Sequence, residues 1–201
     1  FFFFFSGTPK GIILSHLNVN SNVNSFINIM GLRSGVDRIT GCLPLFHSFG
    51  MNICFWIPLM CGVGVVYIKN PLEIDEVIKS IRVYKLTLLA TTPTIFNTYI
   101  KKSERSDFKT LRLLILGGEK FNVRDAEKIK KMKGVEPIEG FGCTELSPVV
   151  SINMAADFKD LSTASGKLGS IGTALPGIAA KIVNQDTWKE VLPGRCGLLL
   201  I

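Results

Sequence analysis

Apolar positions along the chain recur at two spacings. Val19, Val23, Phe26, Ile27 and Met30 fall on one face of a helix. Ser15 is placed to cap its start and Gly31 to stop it, with the interspersed asparagines on the other faces. A second helical stripe, Ile74, Val77, Ile78 and Ile81, starts after Pro71. A third helix over 94–102 shows Ile95, Phe96, Tyr99 and Ile100, and Asn122 caps a fourth that runs to about residue 131. Between the helices lie short continuous apolar runs. Ile12-Ile13-Leu14 predicts a short buried strand, 63–68 a core strand, and 86–90 and 111–116 two more. Pro137-Ile138 leads into another strand that ends at Gly140-Phe141-Gly142. Residues 39–62 read as a buried loop followed by a helix.

Strands and helices alternating through short turns predict an α/β fold, a mostly parallel sheet with helices on both faces. Ligands of such sheets bind beyond the carboxyl ends of the strands. That points to residues 117–120 and 140–147, and residues 90–93, 117–118 and 140–147 are predicted to converge on one cleft. After Val150 the pattern changes. Residues 157–169 are polar and loop-like, and 178–184 and 197–201 read as strands around an Asp186-Thr187 turn. The expected organisation is a core α/β region over 1–150 and a β-rich continuation over 151–201.

Composition narrows this picture. The 201 residues are 47% hydrophobic and only 19% charged, with a mean hydropathy of +0.33. A chain of this length buries roughly 70% of its unfolded surface, and intrinsic disorder as the main state is excluded. Residues 39–68 carry no charged side chain apart from His47 when protonated, but Pro44, Pro58 and four glycines interrupt them, which argues against a membrane span. The formal charge of +7 favours anionic partners without choosing among them. The cysteines at 42, 54, 61, 143 and 196 are odd in number and lack C-x-x-C spacing, which argues against a disulfide framework or zinc ribbon and fits a reducing, cytoplasmic compartment. Two histidines, His16 and His47, cannot make a three-histidine zinc site. The Phe1-to-Phe5 start has neither a basic region nor a cleavage site of a signal peptide.

Two segments carry candidate chemistry. Gly7-Thr8-Pro9-Lys10-Gly11 has the composition of a phosphate cradle, with backbone N–H groups, a hydroxyl and a cation, although its spacing is not that of a Walker loop. A plain surface turn explains the same residues. Gly140-Phe141-Gly142-Cys143-Thr144-Glu145 sets an aromatic between glycines, then a hydroxyl and a carboxylate. These parts suit nucleotide stacking, a phosphate contact and a magnesium ligand. They equally suit a glycine turn followed by a capped helix with an acidic first turn. The basic run Lys120, Arg124, Lys128, Lys130, Lys131 and Lys133 reads as a solvated helix face or a dock for an acidic carrier protein.

Taken in order, Thr8-Pro9-Lys10-Gly11 with Leu14-Ser15-His16, Pro44-Leu45-Phe46-His47, Gly117-Gly118-Glu119, Gly142-Cys143-Thr144-Glu145, and Gly169-Ser170-Ile171-Gly172 with Leu175-Pro176-Gly177 resemble the adenylate-forming (AMP-binding) superfamily. Gly118-Glu119-Lys120 and residues 144–151 look like its bacterial acyl–acyl-carrier-protein synthetases, the branch fused to a 2-acylglycerophosphoethanolamine acyltransferase. The resemblance implies part of the N-terminal domain of an adenylate-forming enzyme. ATP and Mg2+ are the implied cofactors. The implied reaction joins a fatty acid to AMP, then passes the acyl group to the thiol of an acyl carrier protein or CoA.

The implied roles follow position by position. Thr8 and Lys10 belong to a phosphate loop hinged at Gly7 and Gly11. Gly117, Gly118 and Glu119 form the adenine-side wall, Phe141 stacks on adenine beside Gly142, Thr144 contacts the α-phosphate and Glu145 holds magnesium. His47 stands where acyl-activating members carry a histidine near the substrate carboxylate; in isolation it also reads as a core histidine. No nucleic acid is implied, and the parent protein is expected in the cytoplasm, with peripheral association at the inner face of a membrane. The family's ribose-binding aspartate, hinge and C-terminal lid domain have no counterpart before Ile201, so the chain reads as an internal fragment for which turnover alone is not expected. Two rivals remain: a non-catalytic nucleotide- or acyl-binding fragment, and a serine hydrolase or thioesterase using Ser48, whose surroundings Phe46-His47-Ser48-Phe49-Gly50 miss the G-x-S-x-G pattern at residue 46.

Overall fold

The computed structural model describes residues 2–3, 10–120, 122, 129, 135, 137–154, 166–167 and 169–201. In chain order the elements begin with strands β1 (Phe2–Phe3) and β2 (Lys10–Gly11), helix α1 (His16–Met30) and strand β3 (Arg38–Gly41). A helix in three parts follows: α2 (Ser48–Met51), a π-helical turn (Asn52–Trp56) and α3 (Ile57–Cys61). Then come β4 (Gly64–Tyr67), α4 (Ile74–Val83), β5 (Leu88–Thr91), α5 (Pro93–Lys101), β6 (Leu113–Leu116), β7 (Pro137–Gly142), β8 (Val149–Ile152), β9 (Thr173–Ala174), β10 (Lys181–Val183) and β11 (Leu198–Leu200).

Seven strands form one sheet in the order β4-β3-β5-β6-β7-β8-β9. The first five are parallel, and β8 and β9 join antiparallel. The central strands β5 and β6 are buried at every residue, which parallel strands covered on both faces require. Their side chains alternate between two cores. Leu88, Ala90, Leu113 and Ile115 pack with Val23, Phe26 and Met30 of α1 and with Ile53 and Ile57 of the three-part helix. Leu89, Leu114 and Leu116 pack with Val77 and Ile81 of α4 and with Phe96 and Tyr99 of α5. Helices therefore cover both faces, as the alternation predicts. β10 and β11 pair separately as a small antiparallel sheet. The Asp186-Thr187 turn between them is held by Asn184 Oδ1, which accepts from both backbone N–H groups.

The predicted α1 is present with both its ends. Ser15 and Asn18 form a reciprocal capping box, and Gly31 closes the helix in the left-handed region. Three expectations change. Ile12-Ile13-Leu14 is not a buried strand: the pairing is at Lys10–Gly11 with Phe2–Phe3, a ribbon outside the main sheet, and Ile13 is 96% exposed. The 63–68 run is an edge strand rather than a core one, with Val63 and Ile68 buried at its ends and Tyr67 exposed between them. Its place beside the core belongs to β3, within a stretch read as a buried loop. Four residues, one of them Thr40 donating to Leu88 O at 3.1 Å, are too few to show a period. Strand β8 crosses residue 150, so the main sheet runs into the 151–201 segment. The helix expected from Asn122 to about 131 lies outside the described residues apart from residues 122 and 129.

The N-terminal edge of the parallel strands is closed by one carboxylate. Asp37, immediately before β3, is fully buried as a side chain. It takes a two-pronged contact from the Arg112 guanidinium before β6, Nε lying 2.8 Å from Oδ1. The Thr87 hydroxyl before β5 donates to it at 2.9 Å and the Arg33 N–H at 2.8 Å. Burial alone would push the Asp37 carboxyl up. The Arg112 side chain, with the Arg33 N–H and the Thr87 hydroxyl, outweighs burial and holds it well below the usual carboxylate range. A carboxyl depressed in the folded state adds stability above its unfolded value and loses it as pH falls towards the folded one. Asp37→Asn should therefore cost about 3–5 kcal/mol near neutral pH, the usual penalty for breaking a buried pair from one side. In urea titrations the gap between wild type and variant should shrink as the pH drops below about 4. A gap that is the same at pH 7 and pH 3 would contradict this account.

Candidate active site

At the opposite edge, the carboxyl ends of β5, β6 and β7 run into glycines and polar loops. The Gly117 N–H donates to Thr91 O at 3.1 Å, so the turn after β6 is fastened to the end of β5. After β7 the chain makes a single 3-10 turn, Thr144–Leu146, and returns as β8. A Cβ on Gly142 would lie 2.1 Å from Pro148 O, so no other residue fits this hairpin without moving it. The Cys143 N–H donates to that same carbonyl at 2.9 Å and fixes the Thr144–Leu146 turn at its base.

A cavity of about 430 Å³ opens here. It gathers Lys10, His47, Gly117, Gly118, Phe141, Gly142, Thr144 and Glu145 from segments far apart in sequence. An adjoining cavity shares Gly118, Phe141 and Gly142 and adds Glu119, Lys120, Asn122 and Glu139, with Gly169 and Ile171 of the later glycine motif. Phe141 thus stands between the two spaces. Gly11 sits beside Lys10 in β2 but does not line either cavity. Gly7 and Thr8 lie outside the described residues. Of the loops predicted to converge, 117–118 and 140–145 line the 430 Å³ cavity. Residues 90–93 line neither cavity and reach the site only through Thr91 O, which holds the Gly117 N–H.

The polar side chains are held in distinct ways. Thr144 is 2% exposed, and its Oγ1 lies 3.0 Å from Ser48 Oγ, itself buried. Glu145, next in sequence, is exposed. Glu119 accepts from Thr94 Oγ1 at 2.5 Å and from the Thr94 N–H at 3.2 Å. The Thr94 hydroxyl in particular holds its carboxyl below the usual range. Glu119 is therefore tied to the first turn of α5. His47 caps α2, its Nδ1 accepting the Phe49 N–H at 3.1 Å. Burial lowers its pKa below the ordinary value. The imidazole is accordingly neutral near pH 7, with its proton on Nε2, a hydrogen-bond donor rather than a base.

The pattern of motifs did not reveal Ile12, Phe26, Phe49, Ile115, Val149 and Ile152, which supply the apolar part of the lining. Phe26 belongs to the helical stripe of α1, and its period marks it as core without showing that the core opens here. Among the described residues, no group of three or more His, Cys, Asp or Glu side chains could by itself hold a metal ion.

Comparison with known proteins decides the family. A family model described as AMP-binding enzyme matches residues 6–201. The chain belongs to the AMP-binding enzyme family. It is 32% identical over 200 residues to a long-chain-fatty-acid–CoA ligase of Salmonella typhimurium, covering 98% of this chain and 34% of that protein. Its identity to the long-chain-fatty-acid–CoA ligase of Bacillus subtilis is 26%, again over 98% of the chain and 34% of the relative. The chain thus spans about a third of the length of these relatives. Apo MatB from Rhodopseudomonas palustris superposes with a TM-score of 0.86 at 21% identity, over 98% of this chain and 37% of that one. O-succinylbenzoate coenzyme A synthetase from Bacillus subtilis, solved with ATP and magnesium ion, superposes with a TM-score of 0.80 at 23% identity, over 96% and 38%. These structures share the α/β fold of the AMP-binding chain.

The His47 geometry makes a direct prediction. Protonation would remove the acceptor that caps α2, so the folded state resists it. The imidazole should titrate below the ordinary value of about 6.5, and stability should fall as pH drops through that region. Nitrogen-15 NMR of the imidazole should show the Nε2–H tautomer at pH 7. A histidine titrating at or above 6.5, or carrying its proton on Nδ1, would refute the assignment.

Proposed function

We propose that this chain forms the nucleotide- and acid-binding part of an ATP-dependent acid–thiol ligase acting on fatty acids. The observation that carries the reading is the gathering of Lys10, His47, Phe141, Thr144 and Glu145 on one partly apolar cavity beyond the carboxyl ends of a parallel sheet. The fatty-acid ligases among the relatives supply the substrate class.

In the proposed reaction a carboxylate oxygen attacks the α-phosphorus of ATP. The bond to the β-phosphate oxygen breaks, giving acyl-adenylate and pyrophosphate. A thiolate then attacks the acyl carbon and releases AMP. The thiol is that of CoA in the named relatives; the carrier-protein phosphopantetheine is the finer alternative, favoured by the likeness of residues 144–151 to that branch. Lys10 offsets phosphate charge, the Thr144 hydroxyl donates to a phosphate oxygen, and Phe141 gives a flat face to the base. His47, neutral and donating through Nε2, orients the carboxylate. The apolar lining from Phe26, Phe49, Ile115 and Ile152 keeps water from the acyl group. This work is positioning and charge stabilisation, with no protein nucleophile.

The donor set also fits magnesium. That ion is commonly held by one or two carboxylates together with substrate phosphates, keeping several waters, and Glu145 offers an exposed carboxylate beside the Thr144 hydroxyl. Bound there, the ion would neutralise phosphate charge as it develops.

The serine-hydrolase reading finds less support. A catalytic serine is activated by an imidazole that accepts its proton. Ser48 is instead buried and paired with the Thr144 hydroxyl.

The test is to incubate a full-length protein that contains this segment with ATP, Mg2+, a long-chain fatty acid and hydroxylamine. Acyl hydroxamate and pyrophosphate should form together. The absence of both at saturating substrate would overturn the reading. In that full-length protein, Glu145→Gln should lower ATP–pyrophosphate exchange by on the order of 100-fold, with partial recovery at high magnesium and an unchanged melting temperature. Wild-type exchange at every magnesium level would remove Glu145 from this role.

A further inference from the structure

The asparagines of α1 are expected on its polar faces, yet Asn22 is turned inward and is 7% exposed. Its Nδ2 donates to Val149 O at 2.6 Å and to Leu146 O at 3.3 Å. Its Oδ1 accepts the Val149 N–H at 3.2 Å and Asn52 Nδ2 at 3.1 Å. Asn52, 2% exposed at the start of the π-helical turn, also donates through Nδ2 to Ser147 O at 3.1 Å. Two buried amides from two helices therefore fasten the backbone of residues 146–149, directly after Thr144 and Glu145.

We propose that Asn22 and Asn52 are positioning residues of the nucleotide site, which set the Thr144–Glu145 turn in place against the Lys10 end of the chain. The proposal rests on the functional reading above. Its support is geometric. Ser48 and Asn52 are one helical turn apart, on the same face, and grip the turn at two points, Thr144 and Ser147. Asn22 belongs to the helix that follows Lys10–Gly11 through the Ser15 cap, so it links the segment after one proposed phosphate contact to the loop that bears the other and the proposed magnesium ligand. Neither amide lines the 430 Å³ cavity, so neither acts by touching the ligand. Packing alone does not call for amides here. Asn52 Oδ1 is buried without a hydrogen-bond partner, a cost that a leucine of similar size would avoid. What the amides add over leucine is register: each bond matches one named backbone group of the turn.

The experiment compares equilibrium Mg·ATP binding and thermal melting for wild type, Asn22→Leu, Asn52→Ala and Val23→Ala. Val23 is the fully buried neighbour of Asn22 on α1, and its side chain carries no hydrogen-bonding group. Misplacing a binding group by about 1 Å costs up to roughly 100-fold in rate, and loss of groups that orient a ligating side chain costs roughly 10–100-fold in affinity. Asn22→Leu should therefore raise the Mg·ATP Kd about tenfold or more. Asn52→Ala, which also removes the orphaned oxygen, should melt close to wild type and still bind severalfold more weakly. Val23→Ala should melt lower and keep wild-type affinity. Amide variants that bind Mg·ATP like wild type overturn the proposal, as does an equal loss in Val23→Ala. Wild-type protein that binds no Mg·ATP overturns the functional reading itself, and the proposal with it.

Discussion

A parallel sheet buried on both faces leaves its unsatisfied polar groups at the two ends of its strands, and the rest of this structure follows from that constraint. Along β5 and β6 every residue is buried, and the apolar side chains of Leu88, Leu89, Ala90 and Leu113 to Leu116 each meet one of two apolar cores. Charge can enter only at the edges. At the N-terminal edge it is neutralised internally: Arg112 and Arg33, with the Thr87 hydroxyl, satisfy Asp37 from the segments leading into neighbouring strands. At the C-terminal edge nothing comparable closes the sheet among the described residues, and the glycines after β6 and at the end of β7 leave room beside Phe141. One end locks strand positions, and the other leaves polar groups lining a cavity.

The antiparallel return of β8 shapes the open end. A hairpin with room only for glycine at residue 142 brings Thr144 under the N-terminus of α2, where its hydroxyl meets Ser48. His47 sits one residue before, its ring fixed by the cap it provides. Positions 47, 48 and 144 are therefore mutually constrained. The capping bond that orients the imidazole also decides which of its nitrogens carries the proton. Geometry and protonation state are settled together by one backbone N–H.

The π-helical turn gives the same helix a second use. Wider turns release carbonyls from the regular ladder, and the Cys54 carbonyl accepts from the Tyr67 hydroxyl on β4 at 2.7 Å. Asn52 begins this turn and faces the loop after Thr144. The π-helical turn is thus joined through Cys54 to the edge strand of the sheet and through Asn52 to the loop of the candidate site. The apolar middle of the helix, Ile53 and Ile57, packs against the same core as α1.

Much of this was legible in the residues themselves. Helical stripes with their caps at Ser15 and Gly31, and runs such as 111–116, reflect local periodicity and local hydrogen bonding, which a sequence displays directly. The order of short motifs also pointed to the family that the comparisons establish. What sequence could not display was partnership. Whether 63–68 lies at the edge or the centre depends on where β3 inserts, and β3 is too short to show a period. Ile13 looks buried by composition and is exposed because its neighbours pair outside the main sheet. Asn22 has the polarity of a surface residue, and only contact with Val149, 127 positions away, turns it inward. Local pattern determines which elements form and where they end. Long-range hydrogen bonds decide which face of each element meets which neighbour, and those bonds exist only once the chain has folded.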